Sequence, residues 1–336
     1  MIVNATMIAA GLLLICLTLS DVFETVVVPG GSRAWLRVSR RLASLLLPIW
    51  KLACRHRGIS AMFAPVVLVF SFAIWMLFLS VGFALTAFGF RSGFTPPLKS
   101  FWDVLFVVSS SLATIGLSGT HTSGSARWIV LLAGFCGLGV MTLAVTYLLQ
   151  VQSNIARRDA GIIKLNTAAG DPPCALALLE KFARIDNEGE LHDVLHQGRD
   201  WCATVRQSHC SHPSLIYFQS VNTGAGWPAA LGALVDLSFL VECIIGENNL
   251  RGPAIMLREE ALRMAAELTS LLHLPKMPVA TTEAEMTDLI ARLHAARYPV
   301  QASPDLRKLA SRRSEQQSCV SALAEHLGKP ATVLVD

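Results

Sequence analysis

Charge is what this sequence most lacks. Asp, Glu, Lys and Arg make up 15% of its 336 residues, against roughly 25% in an average soluble domain. With 53% of residues hydrophobic, the composition argues against a one-piece soluble enzyme. Acidic residues are scarcest in the first half: residues 1–152 hold ten Lys/Arg but three Asp/Glu, while residues 153–336 hold 18 and 21. Paired cysteine spacing is missing as well. None of the eight cysteines forms a C-x-x-C, and Cys16 and Cys136 fall inside apolar runs, so neither a zinc ribbon nor a disulfide framework is indicated. Such usage fits thiols kept reduced in a cytosol. No strand precedes a G-x-G-x-x-G, and Gly224-Ala-Gly226 lacks that context, so a nucleotide-binding regulatory domain is unsupported. No Ser/His/Asp or paired-carboxylate arrangement stands out, so the expectation is no enzyme, no catalytic residue and no cofactor. Basic residues lie beside apolar runs rather than on a soluble face, which argues against nucleic acid as a partner.

What the chain has is length and apolar runs. It fits about two units of roughly 150 residues, an apolar basic half and a hydrophilic, slightly acidic half. Three runs reach the about 20 residues that cross a bilayer: 7–28, 62–88 and 128–149. The first lacks a basic leader and a small-residue cleavage site, which reads as a retained anchor. Between the first two spans lie Arg33, Arg37, Arg40, Arg41, Lys51, Arg55 and Arg57 with no acid. The positive-inside rule then places the N-terminus outside and the second half in the cytoplasm. Within 32–52, Trp35, Val38, Leu42, Leu45, Ile49 and Leu52 share one helical face with the arginines off it. That spacing describes a helix in the headgroup region, bent near Pro48; a surface helix packed on the second half is the plainer alternative. Asp21 and Glu24 share a face at the inner end of the first span, where an ion pair with Arg37 or Arg41 is expected.

Between the second and third spans sits an apolar piece too short to cross, Ser100-Phe-Trp-Asp-Val-Leu-Phe-Val-Val-Ser-Ser-Ser-Leu-Ala113, then Thr114-Ile-Gly-Leu-Ser118. Ser100 is a fitting N-cap with Asp103 three residues on. Both flanking spans need outer ends on the same side, so this helix dips in and the chain returns. Returning backbone survives in a membrane only where it is enclosed in protein or lines a wet cavity. Aligned carbonyls on such a wall replace an ion's hydration shell. A Ser/Thr/Gly-rich outer turn after an amphipathic helix is the plainer reading.

Span, short helix, Thr114-Ile115-Gly116-Leu117-Ser118 and span together resemble the two-transmembrane pore module of potassium channels. More narrowly, the chain resembles bacterial potassium-channel-family proteins with an additional N-terminal span, through Asp21-Val-Phe-Glu-Thr-Val-Val-Val-Pro29, Gly137-Leu-Gly, Tyr147-Leu-Leu-Gln and Arg157-Arg-Asp159. The resemblance covers about residues 7–160. It implies an all-α membrane protein: three transmembrane helices with a re-entrant pore helix and filter loop, plus an α-helical cytoplasmic domain. The divisions are an anchor over 1–31, a basic interfacial linker over 32–60, a pore module over 61–152 and the cytoplasmic domain over 153–336. Within the module, the pore helix spans 100–113 and the filter 114–118.

The resemblance implies Thr114, Ile115, Gly116, Leu117 and Ser118 as the filter, and Trp102, Asp103 and Ser110 as its pore-helix support. It implies Gly137 as gating hinge, although close helix packing is the plainer use of a membrane glycine. It implies potassium held by filter carbonyls, a homotetramer in a bilayer, and a bacterial-type inner membrane. Four positions depart from the family pattern. Ser118 replaces the second filter glycine, Gly119 replaces the acid, Leu117 lacks a tyrosine hydroxyl, and Ser110 is neutral where the family has an acid. A left-handed Ser would cost about 1–2 kcal/mol per subunit. A nonselective cation pore, or a nonconducting membrane-anchored scaffold with a degenerate pore, are the alternatives.

The second half reads as helices between turn signals. Asp171-Pro-Pro173 looks like a helix start, Thr282-x-x-Glu285 is a capping box, and Ser303-Pro304 opens another helix. Residues 227–246 are apolar enough to raise a fourth span, but Asp236 and Glu242 make a buried helix the expectation. Cys202, His209, Cys210 and His212 fit no common zinc spacing, so no zinc site is expected. Nothing in this half names a ligand.

Overall fold

The computed structural model describes residues 2–28, 38, 41–42, 45–46, 57–116, 119–185, 188–220, 224–246, 248–300, 305–330, 332 and 334. These residues are mostly helical with almost no sheet, and the chain divides into two compact units, Met1–Val151 and Gln152–Asp336.

The first unit holds α1 (Ile2–Val26), α2 (Arg57–Phe88), α3 (Phe101–Leu112) and the start of α4 (Gly124–Ala169). Helices α1, α2 and α4 are long and apolar enough to cross a membrane. The first two form a tight antiparallel pair. At Gly11 a Cβ would overlap Gly82 O and Thr86, so only glycine admits this approach. Farther down the pair, Asp21 is fully buried. Its Oδ2 accepts from Trp75 Nε1 at 2.7 Å and from the Val38 N–H at 3.2 Å. One carboxylate therefore pins α1, α2 and the connection between them; Arg37 lies outside the described residues. Of the apolar face expected over 32–52, Val38 is buried and Leu45 exposed, while Trp35, Ile49 and Leu52 lie outside the described residues.

Beyond α2 the chain makes a two-residue ladder, β1 (Phe94–Thr95) with β2 (His121–Thr122), antiparallel with Phe94 opposite Thr122. This ladder closes the loop that contains α3. The core of the unit joins Trp75, Leu79 and Phe83 of α2 to Val104, Val108 and Leu112 of α3 and to Ala133 and Val140 of α4.

Helix α4 continues some twenty residues past the expected end of the third span. Its breaker comes at Gly170, in the left-handed region at φ +90°, with its N–H on Asn166 O at 2.8 Å. Asp171-Pro-Pro173 is then a turn rather than the first turn of a helix, because Cys174 N–H still bonds back to Ala169 O at 2.9 Å. The second unit goes on with α5 (Ala175–Ile185), α6 (Glu188–Ser211), α7 (Gly226–Cys243), α8 (Asn248–Leu271), α9 (Glu283–Ala295) and α10 (Leu306–His326). The capping box of α9 forms, with Glu285 N–H on Thr282 Oγ1 at 3.2 Å and Thr282 N–H on Glu285 Oε2 at 2.8 Å. Ser303 and Pro304 lie outside the described residues; the N-cap of α10 is Asp305, accepting from Lys308 N–H at 3.1 Å.

Helix α7 is also long and apolar enough to span a membrane, yet it forms the core of this unit, buried at every residue from Gly226 to Val241. Its acids explain the choice. Asp236 receives Arg313 of α10 in a two-pronged pair at 2.9 and 2.9 Å, with both side chains buried. Glu242 pairs with Arg258 of α8, and with Arg312 of α10 at 3.0 Å. A protein interior can bring such partners to a fixed place, whereas a lone helix in lipid cannot.

Candidate functional site

The site begins with a short helix aimed by its own cap. Ser100 Oγ accepts from Trp102 N–H at 3.2 Å, and Asp103 Oδ2 accepts from Ser100 N–H at 3.1 Å, so a capping box starts α3 where the chain turns. Phe101 meets Phe88 of α2 edge to face, 6.0 Å between centroids. Val104, Val107, Val108 and Leu112 are buried, while Trp102 and Phe106 on the other side are 72% and 67% exposed.

The far end of α3 is clamped against α4. Ser111 Oγ donates to Val130 O at 2.8 Å. At Gly137 a Cβ would overlap the Leu112 carbonyl, so glycine is what lets the end of α3 touch the α4 backbone. Gly137 lies inside an unbroken helix, about 20 Å along its axis from Gly124 at 1.5 Å per residue. The hairpin therefore runs beside α4 for about 20 Å.

The loop that follows is where the backbone does something unusual. Thr114 is left-handed at φ +60°, and Gly116 at φ +71°. For glycine that conformation is free; for a β-branched threonine it is strained by about 1–3 kcal/mol. The N–H groups of three successive residues turn back onto the helix end. Thr114 donates to Ser111 O at 2.9 Å, and Ile115 and Gly116 donate to Ser110 O at 2.9 and 3.3 Å. No described hydrogen bond ends on the carbonyl oxygens of Thr114, Ile115 or Gly116. All three residues are exposed, Ile115 to 78%. The negative end of the α3 dipole also points at this loop. The backbone of this loop therefore presents exposed carbonyl oxygens while its N–H groups are occupied.

The residues expected to matter take distinct places. Thr114, Ile115 and Gly116 form the loop; Leu117 and Ser118 lie outside the described residues. Asp103 acts as a cap and Trp102 faces outward. Ser110 supports the loop through its carbonyl, while its buried hydroxyl has no partner among the described residues. Ser111 and the Leu112 carbonyl were not anticipated; the spacing of Gly134 and Gly137 on α4 is the signal that points to them.

In the second unit, no group of three or more His, Cys, Asp or Glu among the described residues could hold a metal. His209 Nδ1 faces Val205 O at 2.9 Å. Burial, aided by nearby Arg158, pushes its ring down to about 3, and burial pushes the Cys202 thiol well up. Both behave as core residues. Arg158 is itself buried, held by Asp159 at 2.9 Å, Leu215 O at 3.3 Å and Ser220 Oγ at 3.2 Å. Among known proteins, no family model, no curated protein and no solved structure matches this chain.

Proposed function

We propose that this chain is one subunit of a homotetrameric, passive cation channel that conducts potassium. The observation that carries the reading is the loop at Thr114–Gly116, with its N–H groups turned back onto α3 and its carbonyl oxygens without a partner among the described residues. Around a fourfold axis, four such loops stack rings of oxygens from Thr114 to Gly116. The Thr114 hydroxyl adds the innermost ring. Each ring replaces part of an ion's hydration shell, so that entry costs little and exit remains possible.

A lone subunit supplies one quarter of each ring, which accounts for a loop so exposed. It also accounts for a run of exposed apolar side chains along α4, among them Trp128, Leu131, Phe135, Leu138 and Val145. Patches of that size are covered by partners or lipid. Helix α4 lines the inner vestibule. Gly137 is the hinge candidate that the family resemblance offers; its contact with Leu112 O ties any bend there to the loop. The N-terminus lies outside a bacterial-type inner membrane, and the second unit lies in the cytoplasm.

Ser118 and Gly119 favour a second reading, a nonselective cation pore, because the outer ring loses a glycine and the mouth loses an acid. Recording single channels in a planar bilayer with asymmetric KCl and NaCl tests both. A reversal potential that follows the potassium gradient supports the selective channel. Equal permeation supports the nonselective pore, and Ser118→Gly then sharpens selectivity. Silence together with crosslinking that stops at dimers would overturn the channel in either form.

A further inference from the structure

The second unit contains a groove of about 710 Å³ that the pore reading does not use. One wall is the stretch of α4 over 157–168 and the other is α6 over 190–201; Ala230 and Leu234 of α7 form its floor. At one end Trp201 Nε1 donates to Arg158 O at 2.9 Å. At the other, Lys181 Nζ donates to Thr167 O at 2.7 Å. Each wall is twelve residues, about 17 Å at 1.5 Å rise. A groove of that length and volume falls in the range of small-molecule sites.

Its charges are sorted by wall. Arg157 and Lys164 stand on the α4 wall, with Lys181 of α5 bonded to that wall at Thr167 O, while Glu190, Asp193 and Asp200 stand on the α6 wall. No ion pair among the described residues joins Arg157 or Lys164 to Asp193 or Asp200: Asp193 lies 3.9 Å from His192 and Asp200 3.3 Å from Arg199, each on its own helix. The lining also supplies an apolar surface, with Leu165, Phe182 and Val194 among its residues. An anion alone would face the acids, and a cation alone would face the bases. A molecule carrying both signs on an apolar body matches both rims and the floor at once.

We propose that this groove binds a small zwitterion with an apolar body, of the amino-acid or short-peptide class. Its carboxylate faces Arg157 and Lys164, its ammonium faces Asp193 and Asp200, and its side chains lie on Ala230 and Leu234. The assignment stands independently of the pore.

Calorimetric titration of the full chain in lipid nanodiscs with L-leucyl-L-phenylalanine tests it. Saturable binding is expected, weakened about tenfold or more when the ligand's amine is acetylated and again when its carboxylate is amidated. These ligand changes leave the protein untouched. The double variant Arg157→Glu with Lys164→Glu, at exposed positions, is expected to lose the dipeptide while keeping the fold by circular dichroism. Equal binding of the capped ligands overturns the proposal, as does full binding by the double variant, or no saturation by about 10 mM. A lysophosphatidylethanolamine that saturates where the dipeptide does not would assign the groove to a lipid headgroup, and would overturn it too.

Discussion

Helices α4 and α7 make an instructive pair. Both are long and apolar enough to cross a membrane. Yet the first half of α4 exposes Trp128, Leu132, Phe135 and Val145, while α7 is buried at every residue from Gly226 to Val241. The contrast extends to the units that hold them. Among the described residues, nearly all the exposed large hydrophobic side chains belong to the first unit; Ile163, Ile185 and Met256 are the exceptions in the second. Apolar composition alone does not say which solvent a helix has. Acids with fixed arginine partners mark α7 as a core helix, and a glycine receiving another helix's carbonyl marks α4 as a wall.

The comparison breaks most sharply at the α7 ion pair. Asp236→Leu or Arg313→Met alone leaves one buried charge uncompensated and is expected to destabilise the second unit by about 3–5 kcal/mol. The double variant should recover most of that loss. Chemical denaturation of the full chain reads both, and equal losses in single and double variants would remove the pair's role in placing α7.

On the α4 side, Gly137→Ala drives a methyl group into the Leu112 carbonyl and is expected to cost up to about 3 kcal/mol through overpacking. Gly139→Ala, with nothing within 4 Å of its Cβ, serves as the control and should be close to neutral. Thermal stability in detergent distinguishes them; equal behaviour would show that α3 does not seat on Gly137.

Acidity should affect the second unit through His209. Its folded value, about 3, lies below the ordinary 6.5, so the unfolded chain takes up the proton first as pH falls. Stability from this group is complete above about pH 7 and declines towards pH 3, by about 2 kcal/mol at pH 5. His209→Gln is expected to flatten that part of the profile, measured by melting temperature against pH.

The smallest effect is expected at the α1–α2 pair. Trp75→Phe keeps an aromatic ring but removes the donor to Asp21, a loss of about 1 kcal/mol because the Val38 N–H still serves that carboxylate. Thermal unfolding of the full chain reads this as a lowered midpoint, and an unchanged midpoint would mean that Val38 N–H alone holds the carboxylate.

Much of this architecture is legible in the residues. The apolar runs mark α1, α2 and the start of α4, because each depends on local hydropathy and length. Ser100 with Asp103, and Thr282 with Glu285, mark two helix starts, because a capping box is satisfied within four residues. Asp236 and Glu242 argue for burial of α7 before any partner is known. The length of α4 is harder to foresee: nothing breaks the helix between Leu149 and Gly170, but hydropathy falls there and reads as an end. Asp171-Pro-Pro173 misleads for a related reason, since the signals that start a helix also make a turn after a glycine.

Contacts between segments distant in the chain cannot be read this way. Trp75 as the partner of Asp21, Arg313 as the partner of Asp236, and the Leu112 carbonyl seated on Gly137 join residues 25 to 77 positions apart. By itself the sequence determined which segments are helical, which of them are apolar enough for lipid, and where charge is too scarce for water, since those properties add up residue by residue. Only the tertiary structure decided that α7 is enclosed in protein and that three N–H groups fold back on α3. It also decided that a groove with oppositely charged walls opens between α4 and α6. Each of those depends on where a distant backbone or side chain comes to rest, which no local pattern encodes.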